Sequence, residues 1–174
     1  LVIGAMTMAG NFIGIYMVSM GGNETYVGAI WGFSALFEIP LMIYASRIAR
    51  RLGYTNTLIL AYAFCVIAYF GYIFSTHPLH LVLFMSIKGC GFGLLFVNAV
   101  TIIDRCSPPG FNTTFQGISS SLVWGLSPLL AGPLSGLLYE NYGPISLFIT
   151  CGIICAAGGL LLLPTYPLWK NVQA

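Results

Sequence analysis

Charge is almost absent from this chain: 174 residues hold six Lys or Arg and four Asp or Glu, 6% of the total. An ordinary soluble domain carries about 25%. So few charges cannot solvate a water-soluble globule of this size. Disorder is excluded from the other side, because 58% of the residues are hydrophobic and the mean hydropathy is +0.92. The chain must therefore fold in a lipid bilayer. Its net charge of +2 is small and scattered, which argues against a nucleic-acid partner.

The apolar residues fall in six continuous runs, 1–20, 27–46, 56–75, 79–103, 114–139 and 144–165, joined by short connectors. Each run is about twice the length a barrel strand needs, and none alternates in polarity, so the spans read as helices. Within hydrocarbon a helix satisfies its own backbone hydrogen bonds. The expected fold is all-α: a single domain of six transmembrane helices over residues 1–174, with no room for a second, water-soluble unit. Leu1 opens directly in an apolar run, with no charged leader before it. The sequence therefore reads as a piece of a longer chain rather than one that starts with a signal peptide.

The basic residues set an expected orientation. With six spans, connectors 47–55 and 104–113 and the tail 166–174 share one side, and they carry Arg47, Arg50, Arg51, Arg105 and Lys170. The opposite connectors carry Glu24 and Glu140 and no Lys or Arg. The positive side is read as cytoplasmic, with both termini of this chain on it, in a cell (inner) membrane. Tyr54, Tyr166 and Trp169 fall at the inner interface, and Tyr26, Trp31, Tyr139 and Tyr142 near the outer one.

Of the five cysteines, Cys65, Cys90, Cys151 and Cys155 lie within spans, which suggests packing rather than a disulfide framework. No metal-ligand pattern is present, and no cofactor is expected. Two ionisable residues, Glu38 and Lys88, lie well inside spans. Each costs about 2.5–3.5 kcal/mol on insertion scales, so such residues usually face a cavity or a partner. Counted from the starts of their spans they differ in depth by only about 3 Å, close enough to share one aqueous cavity or to pair directly. A carboxyl whose proton affinity depends on how wet the cavity is and how near the cation sits suits proton coupling or substrate binding. An ion pair serving assembly alone is the other reading.

Trp31 and Ser34 precede Glu38 by seven and four residues and share its face. Trp31 can stack on a sugar or aromatic ring, or it can anchor the interface. Thr7 and Asn11 share a face of the first span, with Asn11 near the depth of Lys88; Asn11 either lines the cavity or bonds helix to helix. Gly89, Gly91 and Gly93 follow Lys88 and suggest a midplane bend. Small residues recur from Gly117 to Gly136, with Pro128 and Pro133 among them, and predict a kinked, close-packed helix rather than a binding surface.

These residues bring a family into view. The stretch Phe37-Glu38-Ile39-Pro40, followed by Ser46 to Gly53, resembles the second span and cytoplasmic loop of a half of the major facilitator superfamily. That loop usually reads Gly-x-x-x-Asp-Arg-x-Gly-Arg-Arg/Lys; Arg51 and Gly53 match, while Ser46, Arg50, Tyr54 and Thr55 depart from it. The departures are like those of second halves. Gly91-Phe92-Gly93-Leu94, Ser107-Pro108-Pro109-Gly110 and Gly132-Pro133-Leu134-Ser135-Gly136 are similar to the branch of proton-linked sugar, nucleoside and phenylpropionate symporters and sugar efflux carriers. The resemblance implies a C-terminal six-helix half built from two inverted three-helix repeats, its N-terminal half lying outside this sequence. In lactose-type relatives a carboxylate follows the intramembrane Lys by two turns; Leu94 stands there, leaving Glu38 as this half's candidate.

The implied function is secondary active transport of a small organic solute (sugar, nucleoside or aromatic acid) by alternating access, coupled to protons. The candidate coupling residues are Glu38 and Lys88, and the candidate substrate cavity is Asn11, Trp31 and Ser34. Arg47, Arg50, Arg51, Gly53, Asp104 and Arg105 form the candidate cytoplasmic gate loop. The partners are the solute, protons, the bilayer and the missing half. A membrane enzyme would need clustered acids, His or a metal, which the four scattered acids do not supply. The alternative is a membrane-integral structural or regulatory protein that carries no solute.

Overall fold

The computed structural model describes residues 1–164 and is helical almost throughout. Its elements are α1 (Val2–Ser19), α2 (Glu24–Leu52), α3 (Tyr54–Ile73), α4 (Pro78–Cys106), α5 (Asn112–Ser121), a π-helical turn (Leu122–Leu126) and α6 (Ser127–Leu162). Tyr166, Trp169 and Lys170, expected at the inner interface and tail, lie outside the described residues, as does the end of the sixth expected span.

Local chemistry accounts for the helix ends. At the start of α2 the Asn23 side chain accepts a hydrogen bond from the Tyr26 N–H at 3.2 Å, and Glu24 occupies the first turn; Arg50 and Arg51 occupy the last. Acids at the N-terminus and bases at the C-terminus complement the helix dipole. At α4, His77 Nδ1 accepts from the Leu79 N–H at 3.2 Å and Pro78 takes the first turn, where its missing N–H costs nothing. Gly53 alone joins α2 to α3, with φ at 87°. A side chain there would strain the left-handed backbone.

Six separate spans are expected, but among the described residues five helical stretches are long and apolar enough to cross a membrane. The fifth runs from Asn112 to Leu162 over 51 residues, about 77 Å as a straight helix and far more than the ~30 Å of hydrocarbon. It is not straight. At Gly143, φ is 79° and ψ is 175°, the extended ψ that a following proline, here Pro144, demands. The expected connector at 140–143 is therefore reduced to one residue, and segments 112–142 and 144–162 are each of crossing length. The irregularity around Pro128 also takes a specific form: the π-helical turn ends at Leu126, two residues before it. A widened turn relieves the clash between the proline ring and the carbonyl one turn back. The helix continues through Pro133.

Packing runs α2 on α4, α4 on α3, α3 on α6, and α6 on α1. α1 meets both parts of the broken helix: Phe12 stacks on Tyr139 with ring centroids 4.5 Å apart, and Tyr16 meets Phe148 at 5.3 Å. Phe148 also contacts Tyr72 at 5.2 Å, and the Tyr72 hydroxyl donates to Met85 Sδ at 3.2 Å, so one cluster ties α1, α3, α4 and α6.

The glycine run of α4 does not bend the helix, as the sequence suggests it should; α4 is continuous from Pro78 to Cys106. The glycines are instead points of close backbone approach. A Cβ at Gly89 would lie 2.6 Å from the Ser34 carbonyl oxygen, and one at Gly93 would lie 2.9 Å from that of Glu38. Gly91, on the other side, would meet the Ala61 oxygen of α3 at 2.8 Å. The small residues of 112–142 behave in the opposite way: a Cβ added at Gly117, Gly125, Gly132 or Gly136 would meet no atom within 4 Å. That face is open among the described residues, not close-packed.

Two stability outcomes follow from these contacts. Gly93→Val should cost about 1–3 kcal/mol through over-packing, seen as a lower apparent Tm and less monodisperse protein, whereas Gly132→Ala should not lower the Tm. Tyr69 is fully buried and its hydroxyl has no hydrogen-bond partner among the described residues. Tyr69→Phe removes that orphaned group and is expected to raise the Tm; a drop would show that the hydroxyl is satisfied in the membrane.

Candidate functional site

A cavity of about 430 Å³ lies between α1, α2, α4 and the π-helical turn. α1 contributes Ile3, Met6, Thr7, Gly10 and Asn11, and α2 contributes Trp31, Ser34, Ala35 and Glu38. α4 contributes Lys88, Gly89 and Phe92, and the π-helical turn contributes Trp124. Glu38 and Lys88 are the charged residues of this lining.

The close approach of α4 to α2 sets the geometry. Gly89 and Gly93 bring the α4 backbone against the carbonyls of Ser34 and Glu38, so Lys88 arrives within the same cavity as Glu38. Lys88 is 7% exposed, yet its ammonium lies over the Trp31 ring at 5.6 Å from the centroid. That contact is a cation–π interaction, which strengthens where water is scarce. Glu38 is half-buried on the facing wall. Neither a hydrogen bond nor an ion pair joins Glu38 to Lys88. Gly10 of α1 faces the indole: a Cβ there would stand 3.7 Å from it, at ordinary contact distance.

The wall also offers hydrogen bonds. The Thr7 hydroxyl is engaged, donating to the Ile3 carbonyl at 3.0 Å. Asn11 is exposed, and its amide has no partner among the described residues. Ser34 is buried behind the α2–α4 contact. Trp31, at 49% exposure, and Trp124 are open on the side that this chain does not cover.

The structure thus brings Glu38, Lys88, Asn11, Trp31 and Ser34 to one cavity. Trp31 stands over Lys88. Phe92 and Trp124 join them although sequence reasoning passed over both. Phe92 lies four residues after Lys88, and that helical spacing was available as a signal. Trp124 was not accessible in that way, because its direction depends on the extra residue of a π-helical turn.

The six gate-loop residues gather at one end of the molecule, but they do not form a loop. Arg47, Arg50 and Arg51 lie in the closing turns of α2, and Asp104 and Arg105 in those of α4; only Gly53 lies between helices. The reason is length: each of these 29-residue helices is about 43 Å long and outruns the hydrocarbon. Arg47 sits over the Tyr44 ring at 5.4 Å and Arg105 over Tyr54 at 4.8 Å. The Asp104 carboxylate accepts from the Asn112 amide at 2.8 Å.

Sequence comparison sets this helical membrane domain, with its acid and base in one cavity, in a family. Residues 2–150 match the MFS_1 like family. The chain belongs to that family, within the major facilitator superfamily. It is 27% identical over 166 residues to a maltose permease of Geobacillus stearothermophilus, covering 94% of this chain and 41% of that protein. It is 36% identical over 81 residues to monocarboxylate transporter 2 of Mus musculus, covering 44% of this chain and 16% of that protein. The chain thus spans well under half the length of these relatives, and both are membrane transporters.

Accessibility tests the cavity directly. In a background whose native cysteines are replaced, Ala35→Cys should react readily with a membrane-impermeant thiol reagent. Ala61→Cys, fully buried between α3 and α4, should stay unlabelled until the protein is denatured.

Proposed function

We propose that residues 1–174 form the C-terminal six-span half of a secondary carrier that moves a small organic solute by alternating access. The observation that carries this reading is the pair Glu38 and Lys88, on separate helices, lining one cavity without an ion pair between them. Two charges kept in a membrane domain without a direct ion pair between them stay available to a proton and a solute. The open side of the cavity and the bare apolar face of 112–142 are where an N-terminal half would stand, and the chain's short coverage of its relatives supports the same arrangement.

The solute class follows from the wall. Trp31, Phe92 and Trp124 offer flat apolar faces to a sugar, nucleoside or aromatic ring, and Asn11 offers hydrogen bonds. Lys88 adds a fixed cation that suits a carboxylate. Charge balance then gives coupling a physical basis. With Glu38 ionised and Lys88 protonated the cavity is neutral. A carboxylate solute makes it negative unless Glu38 takes up a proton, so solute and proton favour each other's entry. The relatives' names include a sugar and a monocarboxylate, the two chemistries this wall accommodates.

In the complete carrier, Glu38→Gln should abolish concentrative, proton-driven uptake into vesicles while leaving solute exchange at equal concentrations. Undiminished accumulation would remove Glu38 from the coupling step. Lys88→Gln should weaken carboxylate solutes by about tenfold or more, as expected for loss of a charged hydrogen bond, and leave neutral sugars less affected; counterflow with one solute of each class distinguishes them.

A further inference from the structure

The arginine-rich end of the molecule holds a second site, separate from the solute cavity. A pocket of about 340 Å³ lies at the junction of α2, α3 and α4, and three arginines line it: Arg50, Arg51 and Arg105. Two are unengaged, for Arg50 and Arg51 make no hydrogen bond, ion pair or ring contact among the described residues. Acid is scarce here. The chain has four Asp or Glu; Asp104 is the one at this end, and its carboxylate is turned to Asn112 at 2.8 Å. The N-terminus of α3 begins at this pocket with no side-chain cap, adding the positive end of a helix dipole to the three guanidiniums.

A groove of about 710 Å³ adjoins the pocket and shares Arg50 and Arg51 with it. The groove descends along α2 past Ile48, Arg47 and Tyr44 to Leu41, with the Arg47 guanidinium lying over the Tyr44 ring. From Arg51 to Leu41 is ten residues, about 15 Å of helix and about the depth of one leaflet. A cationic pocket that continues into a groove one leaflet deep, basic at its upper end through Arg47, Arg50 and Arg51 and apolar below at Tyr44 and Leu41, has the shape of a phospholipid.

We infer that Arg50, Arg51 and Arg105 bind the phosphate of an anionic phospholipid, with an acyl chain lying in the groove along Ile48, Tyr44 and Leu41. Guanidinium forks match phosphate oxygens in pairs, which a lysine cannot reproduce. The groove favours a lipid over a soluble phosphate, because inorganic phosphate would use only the arginines and leave Ile48, Tyr44 and Leu41 bare. The site is independent of the solute cavity, so it stands whether or not Glu38 couples transport.

The test is native mass spectrometry of the complete purified protein, delipidated in detergent and titrated with phosphatidylglycerol or with phosphatidylcholine of the same acyl chains. The protein should retain phosphatidylglycerol preferentially. At about fivefold per arginine, Arg50→Gln with Arg51→Gln should cut that preference about 25-fold; Arg50→Lys with Arg51→Lys should keep part of it. Arg51→Gln alone, at an exposed position, gives the fivefold step if the double variant folds poorly. An unchanged preference for phosphatidylglycerol in the variants overturns the site. Displacement of bound phosphatidylglycerol by excess inorganic phosphate overturns the lipid and assigns the pocket to a soluble anion.

Discussion

Helix α4 lies against its neighbours at backbone distance, and most of the molecule's order follows from that. Three glycines at alternate positions present a bare surface on two sides: Gly89 and Gly93 to α2, and Gly91 to α3. In hydrocarbon, apolar side chains gain little by leaving lipid for each other, so helices associate by close packing instead. Here that packing also does chemical positioning. It holds Lys88, one residue before the first of these glycines, in the same cavity as Glu38, without requiring the two to pair. The Trp31 ring gives the ammonium a neighbour that attracts it without neutralising it.

Much of this was legible in the residues. Scarcity of charge required a membrane fold, and the continuous apolar runs located the helices to within a few residues at most ends. The depth of Glu38 and Lys88 and the spacing of Trp31, Ser34 and Glu38 were sufficient to expect a shared cavity, because helix rise and periodicity are nearly constant. What escaped was whatever depends on a partner surface. The glycines after Lys88 carry the same letters whether a helix bends or is approached closely, and only the facing carbonyls of Ser34, Glu38 and Ala61 decide between the two. Small residues from Gly117 to Gly136 look like a packing face, yet nothing among the described residues fills it. The connector expected around 140–143 contracted to Gly143 because one left-handed residue before a proline suffices to break a helix.

Placement of the site on helices rather than loops has a cost and a use. Helix-borne side chains cannot move far independently, so the cavity's shape changes when whole helices tilt. The irregular turn at Leu122–Leu126 is the exception. It is the one wall element whose backbone departs from α-helical geometry, and it carries Trp124 into the cavity. An aromatic wall of the cavity and a helix irregularity therefore coincide at that turn.

The junction at Gly53 has a mechanical consequence. Consecutive Cα atoms are about 3.8 Å apart, so Leu52 and Tyr54 can never separate by more than about 7.6 Å. Where helix ends move apart, a long loop commonly absorbs the displacement. Here the chain has no slack. If the arginine end of α2 swings, the start of α3 must swing with it, and α3 is packed along α4 and α6. A push delivered at the arginine end is thus converted, within one residue, into a tilt of a helix that contributes no residue to the cavity wall.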